Sequence, residues 1–323
     1  MAEIRWGMIG CGDVAEHKSG PAFSRLPGSR LAAVSSRRPE KARDYAARHG
    51  VELVFETADE LIASDRVDAV YIATPPASHL ELALRVAAAG KPCCVEKPIA
   101  LDHGEARAMV TAFAEAGQPL FIAYYRRCLP RFEAIRTWIE EGRIGEVRHV
   151  HWTLTRPPSA GDLAGKAAWR VDPQQAPGGY FDDLAGHGLD LFDHYFGPID
   201  QVAGMTARQA MLYAVPDAFT ACWVHAGGIT GTGYWNFAAG EHRDEVLVTG
   251  STGHIRFAVF SDMPVVLAVD GGEEAHEIAH PAIIQEPHVA AMVRQLHGGA
   301  AHPSTGETAA RTALVCDRIL ATV

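Results

Sequence analysis

Residues Ile4–Ala15 read IRWGMIGCGDVA, a short apolar run followed by the pattern G-x-G-x-x-A. The run predicts a buried strand, and the absence of proline before Pro21 allows a helix to begin directly after the glycines. Gly10 permits the tight turn, Gly12 lets backbone approach a pyrophosphate, and Ala15 lets the helix pack on the strand. The free amides at the helix start favour phosphate groups. The segment therefore predicts a dinucleotide-binding turn, with an ordinary strand-to-helix turn as the alternative.

Strand-like and helix-like segments alternate over the first 122 residues. The predicted strands after the first are Arg30–Ser35, Val51–Phe55, Val67–Ala73, Pro92–Val95 and Pro119–Ala123. The predicted helices are Pro39–Arg48, Asp59–Ile62, His79–Ala89 and Gly104–Ala116. This alternation predicts an α/β domain with a doubly wound parallel sheet, whose ligands lie at the carboxyl ends of the strands.

The pattern changes after Tyr124, and glycine and polar turns separate a series of strand-like segments. The predicted strands are Val147–Thr155, Val202–Arg208, Phe219–His225, Thr230–Phe237, Glu245–Gly250, His254–Phe257 and Val265–Val269. Ser304–Glu307 has the form of a capping box before a last helix over Thr308–Leu320. We therefore expect a dinucleotide-binding domain over 1–122 and a substrate-binding and oligomerisation domain over 123–323, with a large, mostly antiparallel open sheet.

The overall charge limits the classes of partner. The chain of 323 residues has a net charge of −10, which argues against nucleic acid or an anionic membrane as the main partner. The six cysteines include no C-x-x-C pair, so neither a zinc framework nor a disulfide framework is expected. No secretory leader and no run long enough to span a bilayer is seen in the sequence. A cytoplasmic protein is expected.

The end of the second predicted strand indicates the type of dinucleotide. NAD-binding domains place an acidic residue there for the ribose 2′-hydroxyl, whereas NADP-binding domains use arginine for the 2′-phosphate. Here the strand is followed by Ser36, Arg37 and Arg38, and no acid comes before Glu40. The sequence therefore favours NADP(H) over NAD(H), with a solvated pair of arginines at a helix start as the alternative.

Glu96-Lys97-Pro98 follows a predicted strand at the edge where this fold binds its ligand. A lysine at such an edge can act as an acid or base, or can polarise a hydroxyl group. Pro98 would fix the backbone around Lys97, and its peptide bond is a candidate for the cis form. A surface turn is the alternative interpretation.

A third cluster lies in the second half of the chain. Asp183 and His187 are four residues apart and share one face of a predicted helix. A carboxylate beside an imidazole can orient the ring and raise its basicity for proton transfer. The same spacing suits a metal, but the sequence offers no convincing third ligand, so no metal is expected there.

These motifs together resemble the Gfo/Idh/MocA oxidoreductases over essentially the whole chain. The resemblance rests on the order and spacing of the glycine turn, Thr74-Pro75-Pro76, Glu96-Lys97-Pro98 and the segment from Asp183 to His187. Ser36-Arg37 is similar to the NADP-using branches of the family, which include anhydrofructose reductase, dimeric dihydrodiol dehydrogenase and NADP-dependent xylose dehydrogenase. Pro177 and Ala185 stand where many members have glycine, which implies a differently shaped substrate-side loop.

The resemblance implies hydride transfer between NAD(P) and a sugar, a polyol or a related carbonyl or alcohol. It implies Lys97, Asp183 and His187 as the catalytic residues, and a homodimer or homotetramer formed through the second sheet. The expected cofactor-binding residues are Gly10, Gly12, Asp13, Val14, Ser36, Arg37, Arg38, Thr74, Pro75, His79, Glu96 and Lys97. The expected substrate-side residues are Tyr124, Arg126, Trp152, Trp169 and Arg170, together with Asp183 and His187.

Two other functions remain open at this point. One is a glycoside hydrolase that uses bound NAD⁺ transiently, and the other is a non-catalytic NADP(H)-binding sensor. The presence of Lys97, Asp183 and His187 argues against a sensor, because a binding module has no need of an acid–base set.

Overall fold

The computed structural model describes residues 3–166 and 169–321, without the side chain of Trp169. The chain forms two compact units. The first comprises residues up to Leu129 together with Pro281–Ala310, and the second comprises Pro130–His280 together with residues from Arg311 onward. Within the described residues, no helix is long and apolar enough to cross a membrane.

The first unit contains a six-stranded, wholly parallel sheet, as predicted. Its strands are β1 (Ile4–Ile9), β2 (Ser29–Ser35), β3 (Leu53–Phe55), β4 (Ala69–Ile72), β5 (Cys93–Val95) and β6 (Leu120–Ile122). They lie in the order β3-β2-β1-β4-β5-β6, so the direction of winding reverses between β1 and β4. Most strand residues are buried because helices cover both faces, which explains their continuous apolar runs.

Five helices follow the strands of this unit. They are α1 (Gly20–Arg25), α2 (Pro39–His49), α3 (Ala58–Ala63), α4 (His79–Ala88) and α5 (His103–Glu115). Side-chain caps fix where two of these helices begin. Thr57 and Glu60 form a capping box at the start of α3, and Asp102 caps α5 by accepting a hydrogen bond from Glu105 N at 2.8 Å. Each of the predicted helices of this region is present.

The helix after the glycine turn is not a regular α-helix. Residues Ala15–Ser19 form a π-helical turn before α1, and Gly20 N bonds to Ala15 O. Pro21 has no N–H, and its ring would clash with the carbonyl one turn earlier in a regular helix, which accounts for the wider turn. A Cβ at Gly20 would lie 1.9 Å from the Tyr45 hydroxyl, so this turn requires glycine.

The second unit contains an eight-stranded sheet in the order β14-β13-β12-β11-β7-β10-β9-β8. Its strands are β7 (Val147–Thr155), β8 (Ile199–Ala207), β9 (Ala218–His225), β10 (Thr230–Asn236), β11 (Arg243–Gly250), β12 (Gly253–Phe257), β13 (Val265–Val269) and β14 (Gly272–His276). Only the pair β7–β10 is parallel among the described pairs, so the mostly antiparallel prediction is confirmed.

Three helices belong wholly to the second unit: α6 (Pro130–Glu140), α7 (Ala160–Leu163) and α8 (Tyr180–Phe196). Helix α8 packs on one face of the sheet, where a Cβ at Gly188 would lie 2.4 Å from the Trp152 ring. Trp152 is fully buried and meets Trp235 and Phe192 edge to face. The expectation that Trp152 lines the substrate side is therefore wrong, because this indole fills the core between sheet and helix.

The chain returns to the first unit through α9 (Glu286–Leu296), a helix that the sequence interpretation missed, and continues into α10 (Gly306–Leu320). The predicted capping box at the start of α10 lies one residue later than expected. Thr305 and Thr308 exchange hydrogen bonds, at 3.0 and 3.3 Å, whereas Ser304 Oγ donates to Ile122 O at 2.7 Å. The Ser304 hydroxyl is thus used to attach the returning segment to the end of β6.

Candidate functional site

The carboxyl ends of β1, β4 and β5 lie side by side at the point where the winding reverses. Backbone bonds continue the ladder past the strands, from Ala73 N to Ile9 O at 2.8 Å and from Glu96 N to Ile72 O at 2.9 Å. The glycine turn, Thr74 and Lys97 therefore follow neighbouring strands along one edge. This edge is where the fold places a ligand.

The glycine turn has the shape that a dinucleotide phosphate requires. Gly10 has φ +103°, and a Cβ there would lie 2.6 Å from Ala73 O. Apart from the neighbours of Gly12 in the chain, no atom of the described residues lies within 4 Å of a Cβ placed on this glycine, so its backbone is open to a ligand. The helix ladder begins with Glu16 N bonding to Gly12 O at 2.9 Å, which leaves the amides of Asp13 and Val14 ahead of it. These features fit a bound pyrophosphate.

The end of β2 lies directly beside this turn, because Gly10 N donates to Ser35 O at 2.8 Å. Ser36 is half-buried, and its Oγ accepts from Arg38 N at 3.3 Å. Arg37 and Arg38 are exposed, and neither guanidinium pairs with a carboxylate within residues 3–166 and 169–321. Two uncompensated cations beside the turn fit an anionic group on the ribose.

His79 joins the segments that follow β4 and β5. Its Nε2 lies 2.8 Å from Thr74 O, and its Nδ1 lies 3.0 Å from Pro98 O. The ring is fully buried, and burial lowers the pKa of His79 below its usual value. The structure thus places this predicted cofactor-binding residue beneath the edge, where it holds the Thr74-Pro75 loop and the cis Lys97–Pro98 peptide together.

Glu96 is also buried, in a network that reaches the returning segment of the unit. Its Oε1 accepts from the Tyr71 hydroxyl at 2.7 Å and from Gln285 Nε2 at 3.0 Å, and its Oε2 accepts from Lys97 N at 3.2 Å. Burial, aided by the Glu96 charge, raises the pKa of Tyr71 well above its usual value. The carboxylate is satisfied by these partners, so it fixes the backbone of Lys97, whose side chain is half-buried at the edge.

The two substrate-side residues that were predicted in the first unit follow strand β6. Tyr124 and Arg126 are both buried, and Arg126 lies in a short 3-10 turn over Tyr125–Cys128. The Arg126 guanidinium lies 5.0 Å from the centre of the Tyr125 ring. This turn therefore sits at the same edge of the sheet as Lys97, one strand further along.

In the second unit, Asp183 and His187 lie one turn apart on α8, as predicted from their spacing. Asp183 Oδ2 accepts from Arg170 Nε at 2.8 Å, which holds the carboxylate in a fixed orientation. His187 is buried and meets the Phe260 ring edge to face at 5.6 Å. The structure therefore adds Arg170 as a direct partner of Asp183. Trp169 begins a 3-10 turn, and its side chain lies outside the described residues.

Asp182, next to the predicted pair, was not singled out by sequence. Its Oδ2 accepts from Gly178 N at 2.7 Å at the start of α8. Burial, opposed by that hydrogen bond, raises the pKa of Asp182 to about 7, and the charges of Asp317 and Asp183 add to the shift.

A group of possible metal ligands was also missed. Cys128, His288 and His302 come together in the first unit. Because Cys128 and His288 are 160 positions apart in the sequence, no local motif indicates this group. The sequence interpretation expected no zinc framework, because the chain has no C-x-x-C pair.

The two-unit fold with a glycine turn at the carboxyl edge defines a dinucleotide-binding protein of the oxidoreductase type. Residues 4–124 match the model of the oxidoreductase family with an NAD-binding Rossmann fold, and residues 132–256 match the GFO/IDH/MocA C-terminal domain. The chain belongs to the Gfo/Idh/MocA oxidoreductase family.

Individual relatives agree with this assignment. Oxidoreductase P35 of Formosa agariphila is 34% identical over 317 residues, which cover 98% of each chain. Inositol 2-dehydrogenase of Rhizobium meliloti is 35% identical over 67% of this chain and 62% of its own. The structure of a 3-ketoreductase from Actinomadura kijaniata, in complex with NADP and TDP-benzene, has a TM-score of 0.84 at 23% identity, over 98% of this chain and 97% of that one. This last likeness shows the fold.

Proposed function

We propose that this protein transfers a hydride between NADP(H) and a sugar, a polyol or a related carbonyl or alcohol. The main support is the carboxyl edge of the first sheet, where an open glycine turn follows β1 and Lys97 follows β5, with only β4 between the two strands. The dehydrogenase named for inositol among the relatives supports a polyhydroxylated substrate. We also propose that residues 1–122 bind the dinucleotide and that residues 123–323 bind the substrate and form the contact between subunits.

The protein side chains would stabilise the reacting oxygen, transfer the proton and contact the substrate. A bound nicotinamide cofactor supplies or accepts the hydride. Lys97 donates a hydrogen bond to the reacting oxygen as negative charge develops on it. His187 takes the hydroxyl proton during oxidation and returns it during reduction, while Asp183, held by Arg170, orients the imidazole. Tyr124, Arg126, Trp169 and Arg170 would contact the substrate.

A screen of sugars and polyols with NADP⁺ and NAD⁺ tests this function. One mole of reduced cofactor should form for each mole of alcohol oxidised. A glycoside hydrolase would instead cleave its substrate without net reduction of added cofactor, and a sensor would bind cofactor without turnover. Either of these results would contradict the proposal.

The cofactor preference is tested at Arg37. Arg37→Ala should weaken NADPH binding about 10-fold and change NADH binding less than about 2-fold, because only NADPH has the 2′-phosphate that the guanidinium can pair with. Energy transfer from tryptophan to the nicotinamide measures both affinities. Arg43→Ala, which alters an exposed arginine on the following helix α2, is the control for net charge. Tighter binding of NADH than of NADPH by the unmodified protein would contradict the preference.

We also propose that two copies associate through the open face of the eight-stranded sheet. Uncharged side chains dominate the centre of this face, including Thr220, Thr230 and Thr232, and Met205 is 73% exposed. Sedimentation analysis of the unmodified protein and of Met205→Lys tests this contact.

None of the six cysteines forms a disulfide bond, which supports the proposal of a reducing, cytoplasmic location.

A further inference from the structure

Three side chains with metal-binding atoms meet in the first unit, beside the 3-10 turn that follows β6. Cys128 ends the 3-10 turn after β6, His288 lies in the first turn of α9, and His302 lies just before α10. The Cys128 sulfur and one ring nitrogen of each histidine all lie within 4.8 Å of one another. The fold therefore gathers a thiol and two imidazoles from three separate segments.

The spacing of the group suits tetrahedral coordination. Cys128 Sγ lies 3.8 Å from His302 Nε2. A tetrahedral zinc ion with Zn–S of about 2.3 Å and Zn–N of about 2.0 Å would hold its sulfur and nitrogen ligands about 3.5 Å apart. The Cys128–His302 pair is already close to that separation, and the pairs that involve His288 close from at most 4.8 Å.

His288 supplies an independent indication of a ligand. It is fully buried, and its Nδ1 has no hydrogen-bond partner among the residues that the structure describes. Its other nitrogen, Nε2, lies 3.7 Å from Cys94 Sγ. An unpaired polar atom in the interior is costly, and a cation at Nδ1 would satisfy it. The Cys94 contact would then fix the ring from the far side.

His302 can supply its lone pair by a change of tautomer. Its Nε2 lies 3.2 Å from His288 O, and its Nδ1 lies 3.0 Å from Ser304 O and accepts from Ser304 N at 2.9 Å. On zinc binding the proton moves to Nδ1, which then donates to Ser304 O in place of accepting from Ser304 N, and the Nε2 lone pair becomes available on the side of Cys128.

We propose that Cys128, His288 and His302 bind one Zn²⁺ ion. On binding, the Cys128 S–H bond breaks and its proton passes to solvent, while the thiolate sulfur, His288 Nδ1 and His302 Nε2 each donate a lone pair. A water molecule takes the fourth position, since Cys128 is partly exposed and leaves a route for solvent.

The ion would join the turn that carries Tyr124 and Arg126 to the returning segment over Pro281–Ala310. That segment is attached near the same point by the hydrogen bond from Ser304 to Ile122 O. Zinc would therefore stabilise the first unit by cross-linking parts of the chain that are distant in sequence. This inference does not depend on the proposed redox activity.

Competition with a chromogenic zinc chelator tests the site, using tag-free protein that has been stripped by dialysis against a chelator. One equivalent of Zn²⁺ should bind, and Cys128→Ser and His302→Gln should each weaken binding at least ~100-fold. Cys94→Ala, which removes only the outer partner of His288, should weaken it ~10-fold. Cys222→Ser, at an exposed position in β9, should leave binding unchanged.

A second measurement avoids dependence on variants that fail to fold. Co²⁺ added to the unmodified protein should give a thiolate charge-transfer band in the near ultraviolet, with the intense visible bands of a tetrahedral site. Circular dichroism and NADPH titration report whether each variant is folded. The proposal is overturned if no saturable equivalent of Zn²⁺ binds, or if folded Cys128→Ser and His302→Gln both bind Zn²⁺ as tightly as the unmodified protein. Selective binding of Cu⁺ in place of Zn²⁺ would overturn the choice of ion.

Discussion

The carboxyl edge of the first sheet and helix α8 both contain predicted site residues, but they are built in different ways. At the edge, backbone provides most of the structure, through the positive φ of Gly10, the open space at Gly12 and the cis peptide before Pro98. On α8, side chains provide it, and Asp183 depends on Arg170, which lies outside the helix. A backbone site is encoded in a few adjacent residues, whereas a side-chain site also depends on partners brought by the fold.

The largest effect is expected at Lys97, the one side chain of the edge to which we assign chemistry. Lys97→Ala should lower kcat/KM about 10³-fold, because it removes a charged hydrogen-bond donor to the reacting oxygen. NADPH affinity should change less than about 2-fold, since the glycine turn is untouched. Steady-state kinetics and a binding titration measure the two quantities, with Lys91→Ala, just before β5, as the control. Unchanged turnover would remove Lys97 from the mechanism.

On α8, His187→Gln should lower kcat about 10²-fold, because glutamine keeps the polar volume but cannot exchange the proton. The pH dependence of kcat should flatten as well, which a merely structural substitution would not produce. His194→Gln changes a histidine of the same helix that faces Glu133, and it should leave both quantities unchanged. A His187→Gln enzyme with full activity and an unaltered pH profile would show that the acid–base group lies elsewhere.

The glycine turn offers a matched pair of substitutions. Gly12→Ala should weaken NADPH binding about 10-fold or more without loss of stability, because its Cβ meets only the space that the phosphate would occupy. Gly10→Ala should instead lower the free energy of unfolding by about 1–3 kcal/mol, since its φ and the contact with Ala73 O both oppose a side chain. Urea denaturation and cofactor titration separate the two effects. Equal behaviour of the two variants would contradict this interpretation of the turn.

A smaller effect is expected at Asp182, where the folded chain raises the pKa from 3.8 to about 7. Between these pH values the unfolded state is ionised while the folded state retains its proton, so stability falls as the pH rises through this window. Asp182→Asn should therefore raise the free energy of unfolding at pH 8 by about 1–2 kcal/mol and flatten its slope between pH 4 and pH 7. Urea denaturation across this range measures the slope. Asp200→Asn, at an exposed position of β8, should leave the slope unchanged.

The sequence predicted regular elements well where one local rule dominates. Val147–Thr155 and Val265–Val269 have the predicted bounds, because both runs are rich in β-branched and apolar residues and lie between turn residues. Prediction was less successful where a distant contact decides. Ser304 was predicted to cap a helix, but its hydroxyl donates a hydrogen bond to Ile122 O. Trp152 was predicted to line the substrate side, but helix α8 covers its ring.

By itself, the sequence determined the parallel sheet, the position of the glycine turn and the placement of Lys97 at the edge, because short adjacent patterns fix each of them. The tertiary structure alone decided that the Glu96 carboxylate accepts hydrogen bonds from Tyr71 and Gln285, and that Cys128 meets His288 and His302. These contacts join residues that are far apart in the chain. The packing of helices and strands determines which of these residues meet, so no local sequence pattern predicts the contacts.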